Sequence, residues 1–219
     1  MIRILIVDDH RLFRLGLSKM LPERKGLQIV GEAENGEQAI QLARELRPNI
    51  VLMDILMPGI GGLEATARIH RMDSDIKVIA LTACESSPFP MQMLRAGATG
   101  YLTKGVSAEE LYTAIRRVFA GRRYVCSEIA QKLAINAFEP ERETPFDQLS
   151  GREMQIMMMV VNCNKVSEIS SNLHLSPKTV NSYRYRIFEK LDVSSDVELV
   201  LLAVRHGMMN PEVGLAEAV

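Results

Sequence analysis

The chain has 219 residues, is 47% hydrophobic and carries a formal net charge of -1. That length suits one or two globular domains, and the near-neutral balance means that any nucleic-acid-binding surface must be local. No apolar run reaches the roughly 18 residues of a membrane-spanning helix, so no membrane partner is expected.

Met1-Ile2-Arg3 leads straight into a strand pattern, without the charged, apolar and small-residue order of a signal peptide. Cys84, Cys126 and Cys163 are scattered, with neither C-x-x-C nor zinc spacing, and fit reduced thiols in a cytoplasmic protein. Up to residue 121 strand and helix patterns alternate. Strands are predicted at 2–7, 28–33, 50–53, 77–81 and 99–102, short and apolar on both faces as in a parallel sheet covered on both sides. Phe13, Leu17 and Met20 mark a helix over 11–20, and Ala39, Ala43 and Leu46 one over 36–46. Ser107 and Glu110 form a capping-box signature ahead of the stripe Leu111, Ala114, Ile115 and Val118, and Gly121 ends that helix. Five βα units of this length imply a doubly wound, flavodoxin-like α/β domain over 1–121, with its ligands at the carboxyl ends of the strands.

After Gly121 the strand pattern stops. Residues 127–137 read as a short helix, and Glu139 to Pro145, charged and containing two prolines, as a linker, so that 122–147 connects the two domains. Residues 148–210 read as all helix, at about 150–161, 165–172, 177–191 and 195–206. Ser150 with Glu153 and Ser195 with Glu198 are further capping-box signatures, and Ser176-Pro177 places an N-cap before proline at the first helical position. The short turn between the middle two helices has the spacing of a helix-turn-helix.

Asp8 and Asp9 end the first strand and Asp54 the third. In a parallel sheet those ends lie side by side, so the three carboxylates converge on a site for a hard cation. Mg²⁺ takes oxygen ligands and retains waters. Asp9 and Asp54 are the candidate direct ligands, Asp8 acts through water, and the Leu56 carbonyl adds an oxygen. Asp54 is the candidate nucleophile for a phosphoryl group, forming an acyl phosphate. An aspartate at a strand end is, taken singly, more often a solvated turn residue. Here Thr82 ends the fourth strand and Lys104 the fifth, so a hydroxyl and an ammonium face the same crevice, where each can bind a phosphoryl oxygen. A phosphohydrolase of the haloacid type would need Asp-x-Asp on the first strand. His10 stands two places after Asp8, so that general acid is missing and no enzyme activity is expected.

In the helix 177–191, Val180, Ile187 and Leu191 share the apolar side. Lys178, Asn181, Ser182 and Tyr185 form the opposite stripe, suited to the edges of bases in a major groove of double-stranded DNA. Thr179 lies beside that stripe, and Arg184, Arg186 and Lys190 flank it as candidate phosphate contacts. The helix 195–206 is apolar nearly all round. Its Leu199, Leu201 and Leu202 suggest either a symmetric homodimer contact or deeper burial in the same chain.

Residues 1–121 resemble a response-regulator receiver domain through Asp8-Asp9, Asp54 with Met57-Pro58-Gly59, Leu81-Thr82-Ala83 and Gly100-Tyr101-Leu102-Thr103-Lys104. Gly105 departs from the proline that many receivers carry after the lysine. Residues 149–209 resemble the helix-turn-helix of the LuxR/FixJ/NarL class through Leu149-Ser150-Gly151-Arg152-Glu153, Leu175-Ser176-Pro177-Lys178-Thr179-Val180 and Glu189-Lys190-Leu191. Pro88-Phe89-Pro90, Gly121-Arg122-Arg123-Tyr124-Val125 and Asn181-Ser182-Tyr183-Arg184-Tyr185-Arg186 are similar to the GacA/UvrY group of that class. The resemblance implies a transcription factor of a two-component system. A sensor histidine kinase would donate the phosphoryl group, Thr82 would move toward it, and Tyr101 would turn inward as the switch residue. It also implies a tripartite kinase and promoters of small regulatory RNAs. A receiver acting unphosphorylated, as a protein-binding module, would not require the intact set of acids, threonine and lysine.

Overall fold

The computed structural model describes residues 1–22, 24–82, 89–138 and 145–206. They fall into two compact units, with the division between residues 140 and 141.

The first unit alternates strand and helix: β1 (Ile2–Val7), α1 (Arg11–Met20), β2 (Leu27–Ala33), α2 (Gly36–Leu46), β3 (Ile50–Asp54), α3 (Gly61–Met72), β4 (Lys77–Thr82), α4 (Phe89–Arg95), β5 (Gly100–Thr103), α5 (Ala108–Phe119), β6 (Tyr124–Val125) and α6 (Ser127–Phe138). The sheet runs β2-β1-β3-β4-β5-β6, and every pair is parallel. All five residues of β3 are buried, because helices cover both faces of the sheet. On one face Leu5, Val7, Val51, Met53 and Val78 pack with Ala39 and Ala43 of α2 and Ala65 and Ile69 of α3. The strand order reverses around β1, which has β2 on one side and β3 on the other. The carboxyl ends of β1 and β3 therefore open on a switch point, where the sheet leaves a crevice.

The doubly wound domain is present with one strand more than expected. Tyr124–Val125 extends the sheet beside β5, its amides placed by Tyr124 N–H to Thr99 O and Cys126 N–H to Tyr101 O, both 3.1 Å. A two-residue edge strand is too short to alternate, so it leaves no periodic signal in the sequence. With α6 it belongs to the first unit, although 122–138 read as connector. The expected linker, 139–145, lies outside the described residues up to residue 144.

The second unit holds a single 3-10 turn (Pro145–Gln148) and four helices among its described residues: α7 (Gly151–Val161), α8 (Val166–Leu173), α9 (Pro177–Leu191) and α10 (Asp196–Arg205). Phe146 is fully buried and stacks edge-on against His206, 5.5 Å between centroids, so the turn is part of this core. Met154, Ile156, Met157 and Val161 of α7 fill the centre. Of the three capping boxes expected, only Ser150 with Glu153 closes in both directions. Ser107 and Ser195 accept from the Glu110 and Glu198 amides, but the Glu198 carboxylate turns instead to Ser194 N–H and Oγ. In α10, Leu199 is fully buried in its own unit, whereas Leu201 is 51% exposed and Val197 69% exposed. Leu199 is thus a core residue and not an interface residue; deeper burial accounts for it, and the exposed apolar face belongs to Val197 and Leu201.

Candidate functional site

At the end of β1 Asp8 is buried, with its amide bonded to Ala33 O at 3.1 Å on β2. Its Oδ1 accepts from the His10 amide at 2.8 Å, and its backbone carbonyl accepts from Arg14 Nη1 at 2.7 Å. At the end of β3 Asp54 is equally buried, and the Leu56 amide points at its Oδ1 from 3.4 Å. Gly62 lets α3 start hard against this turn: a Cβ there would lie 1.9 Å from the Asp54 carbonyl oxygen. Ligand atoms of Asp8, Asp9, His10 and Asp54 all lie within 4.8 Å of one another. Three carboxylates at that spacing fit a hard, oxygen-seeking cation such as Mg²⁺.

Thr82, buried at the end of β4, is in register with Thr103 on β5, and its carbonyl accepts from the Lys104 amide at 2.6 Å. That ladder sends Lys104 back over β3. Its Nζ lies 2.7 Å from Asp8 Oδ2 and 2.9 Å from Asp54 Oδ2, above the Phe13 ring at 4.9 Å from the centroid. The sheet thus gathers the acids, Thr82 and the Lys104 ammonium at its carboxyl edge. Tyr101 is fully buried on β5. Burial pushes the Asp54 carboxyl up to about 6, opposed by the pull of Lys104 and assisted by Asp8 and Asp9. Burial would lower the Lys104 pKa, but Asp54 and Asp8 outweigh it and the ammonium is held.

The second candidate surface is α9. Ser176 caps it, its Oγ accepting from the Thr179 amide at 3.1 Å, and Val180, Ile187 and Leu191 are buried. Lys178, Ser182, Tyr185 and Arg186 are exposed, and Asn181 is partly exposed. Arg186 lies over the Tyr183 ring, and Thr179 Oγ1 is 2.8 Å from Ser176 Oγ. Two of the expected phosphate contacts are engaged within the unit. Lys190 Nζ binds Glu153 Oε2 at 2.6 Å and Gln148 O at 3.3 Å. Arg184 binds Asn181 Oδ1 at 3.0 Å and pairs with Asp196. A cation already neutralised by a carboxylate has less charge to offer a phosphate.

The family model for the response regulator receiver domain matches residues 4–116, and that for bacterial regulatory proteins of the luxR family matches 147–203. The chain is a response regulator of the LuxR family. It is similar to the response regulator GacA of Pseudomonas aeruginosa, 58% identical over 96% of this chain and 99% of that one. It is also similar to the response regulator UvrY of Escherichia coli K12, 52% identical over 97% and 98%. A LuxR-family regulator structure from Aurantimonas is 39% identical, with a TM-score of 0.60 over 62% of this chain and 97% of that one. The RcsB structure from Salmonella enterica serovar Typhimurium, bound to promoter rprA with a phosphomimetic, shares the fold at TM-score 0.65 and 23% identity over 93% of this chain. This response regulator is therefore a DNA-binding member of a two-component system. None of its described helices is long and apolar enough to cross a membrane.

Sequence reasoning about this response regulator missed Arg14, His10 and Asp196. Arg14 is buried and pairs with Glu34 as well as gripping the Asp8 carbonyl. Its signal was a charge set on the same helical face as Leu17 and Leu21. His10 Nδ1 lies 2.9 Å from Asp9 Oδ1, which adds a nitrogen to the acidic cluster. Asp196 carries no sequence signal, since its partner Arg184 lies on another helix.

Proposed function

We propose that Asp54 is the phosphoacceptor. Its carboxylate attacks the phosphorus of a phosphohistidine on a sensor kinase. The P–N bond breaks as the P–O bond to Asp54 forms, and the imidazole leaves with the bonding electrons. Asp9 and Asp54, with Asp8 through water and the Leu56 carbonyl, would hold Mg²⁺, which would supply charge to offset the phosphoryl oxygens. Lys104 then pairs with one phosphoryl oxygen and Thr82 with another. Tyr101 is fully buried before any phosphorylation, so it would act as the switch residue by repacking with Thr82 rather than by turning inward. The observation carrying this reading is the meeting of Lys104 with both Asp8 and Asp54 at one sheet edge.

The output is transcriptional control through α9, with Lys178, Asn181, Ser182 and Tyr185 toward the bases, Thr179 beside them, and Arg186 on phosphates. Arg184 and Lys190 act within the fold. Two copies would pair on DNA through the exposed face of α10, with Val197 and Leu201 meeting across a twofold axis and the half-buried Leu202 beside them. The functional modules are a receiver over 1–121, a connector over 122–147 and a DNA-binding module over 148–210. The motif resemblance to the GacA/UvrY group extends this proposal to small regulatory RNA promoters as targets and a cytoplasmic setting. Incubation with acetyl phosphate and Mg²⁺ tests the reading: one phosphoryl group per chain, on Asp54, with tighter operator binding. Labelling on another residue, or none, rejects it.

A further inference from the structure

Arg184 and Asp196 constrain what Asn181 can read. Asn181 and Arg184 stand three residues apart on α9, and Asp196 opens α10. Arg184 Nη1 donates to Asn181 Oδ1 at 3.0 Å, while Nη2 pairs with Asp196 Oδ2. The guanidinium carbon lies 5.8 Å from the Phe188 ring centroid. The Arg184 side chain is 21% exposed, so carboxylate, amide and ring take up most of its surface.

The orientation of the Asn181 amide follows from chemistry. A guanidinium has five N–H donors and no acceptor. The amide atom facing it must be the oxygen, because the alternative sets two donors against each other. The Asn181 NH₂ then lies on the opposite edge of the planar amide, away from Arg184. A free asparagine can turn over and offer either a donor or an acceptor. With its oxygen engaged, Asn181 offers donors at its free edge. In the major groove the acceptors are N7 and O6 of guanine, N7 of adenine and O4 of thymine, whereas cytosine presents its N4 amino donor.

We propose that Arg184, braced by Asp196, is a positioning residue for base recognition: it locks the Asn181 amide with its donors toward the groove and so selects base edges that carry acceptors. This rests on the reading that α9 enters the major groove. The lock crosses from α9 to the first turn of α10, so the packing of α10 helps to set specificity. Asp196 also lowers the local positive charge, which takes Arg184 out of phosphate attraction.

The test uses the full-length phosphorylated protein. Duplexes selected from a randomised pool are sequenced, and affinity is then measured against salt on the selected duplex and its single-base variants. Arg184→Met and Asp196→Asn are expected to lose discrimination at the base pair that Asn181→Ala also relaxes, by about tenfold, with the salt slope unchanged. Arg184→Lys, which can still donate to Asn181 and pair with Asp196, is expected to keep most of the preference. The proposal is overturned if Arg184→Met weakens all duplexes equally and shallows the salt slope by about one per subunit, the mark of a phosphate contact. Retention of the wild-type preference by Asp196→Asn overturns it too. If Asn181→Ala itself leaves every preference intact, the groove reading of α9 fails first.

Discussion

The Lys104 ammonium lies 2.9 Å from Asp54 Oδ2, although the two residues are 50 apart in sequence and their strands are separated by β4. With Asp54 proposed as the phosphoacceptor, this cation and Thr82 are proposed to bind the phosphoryl group rather than accept it. Thr82→Ala and Lys104→Ala should therefore still be labelled by acetyl phosphate, yet lose most of the phosphorylation-dependent gain in DNA affinity. Filter binding before and after labelling measures it. An undiminished gain in either variant would remove that residue from the switch.

Asp54→Asn should abolish labelling and stabilise the unphosphorylated chain. A carboxyl raised from the ordinary 3.8 to about 6 is better off protonated in the fold. Its contribution to stability is fully present below pH 3.8 and is lost as pH rises through 6. At pH 8 without Mg²⁺ the ionised group costs about 3 kcal/mol, which the neutral amide avoids. Thermal melts should show Asn ahead of Asp at pH 8, with the gap closing toward pH 4. Added Mg²⁺ should stabilise the wild type more than the variant. Equal melting temperatures at pH 8 would mean that Asp54 is not strained by burial.

Much of this site was legible because parallel strands with buried faces leave a strong signal, and their ends fix where Asp8, Asp54, Thr82 and Lys104 go. Alternation and caps are local, so they carry in one sequence. What escaped was non-local or charged. Arg14 reads as a surface residue until Asp8 and Glu34 are seen around it. Lys190 reads as a phosphate contact until Glu153, 37 residues earlier, is found beneath it. The apolar run of α10 names no side as buried, and only packing against α7 separates Leu199 from Leu201.

A fragment beginning at residue 141 should fold and bind operator DNA without a phosphodonor, because Phe146 and Gln148 complete its core and hold α9. Gln148 Nε2 bonds the Lys190 carbonyl. A fragment starting at residue 149 lacks the fully buried Phe146 and should be less stable by roughly 3–5 kcal/mol, the usual cost of emptying such a site. Urea melts and gel shifts of both fragments check this. If the longer fragment folds but binds only when fused to the receiver, dimerisation driven by the receiver is the better account of activation.

Arg186 and Lys190 are both basic residues on α9, but they should fail differently. Arg186 is exposed and unpaired with acid among the described residues, so Arg186→Ala should weaken operator and scrambled DNA alike and reduce the salt slope by about one per subunit. Lys190 holds the buried Glu153, whose carboxyl burial would raise but whose bonds to Lys190 and Ser150 keep low. Lys190→Ala leaves that carboxylate short of a partner and should destabilise the unit by roughly 1–3 kcal/mol, toward the lower end because Lys190 is partly solvated. The loss should shrink as pH falls and Glu153 takes a proton, since a lowered pKa contributes stability only above it. The salt slope on DNA should stay as in the wild type. A shallower slope for Lys190→Ala with no change in melting would return this lysine to the phosphates.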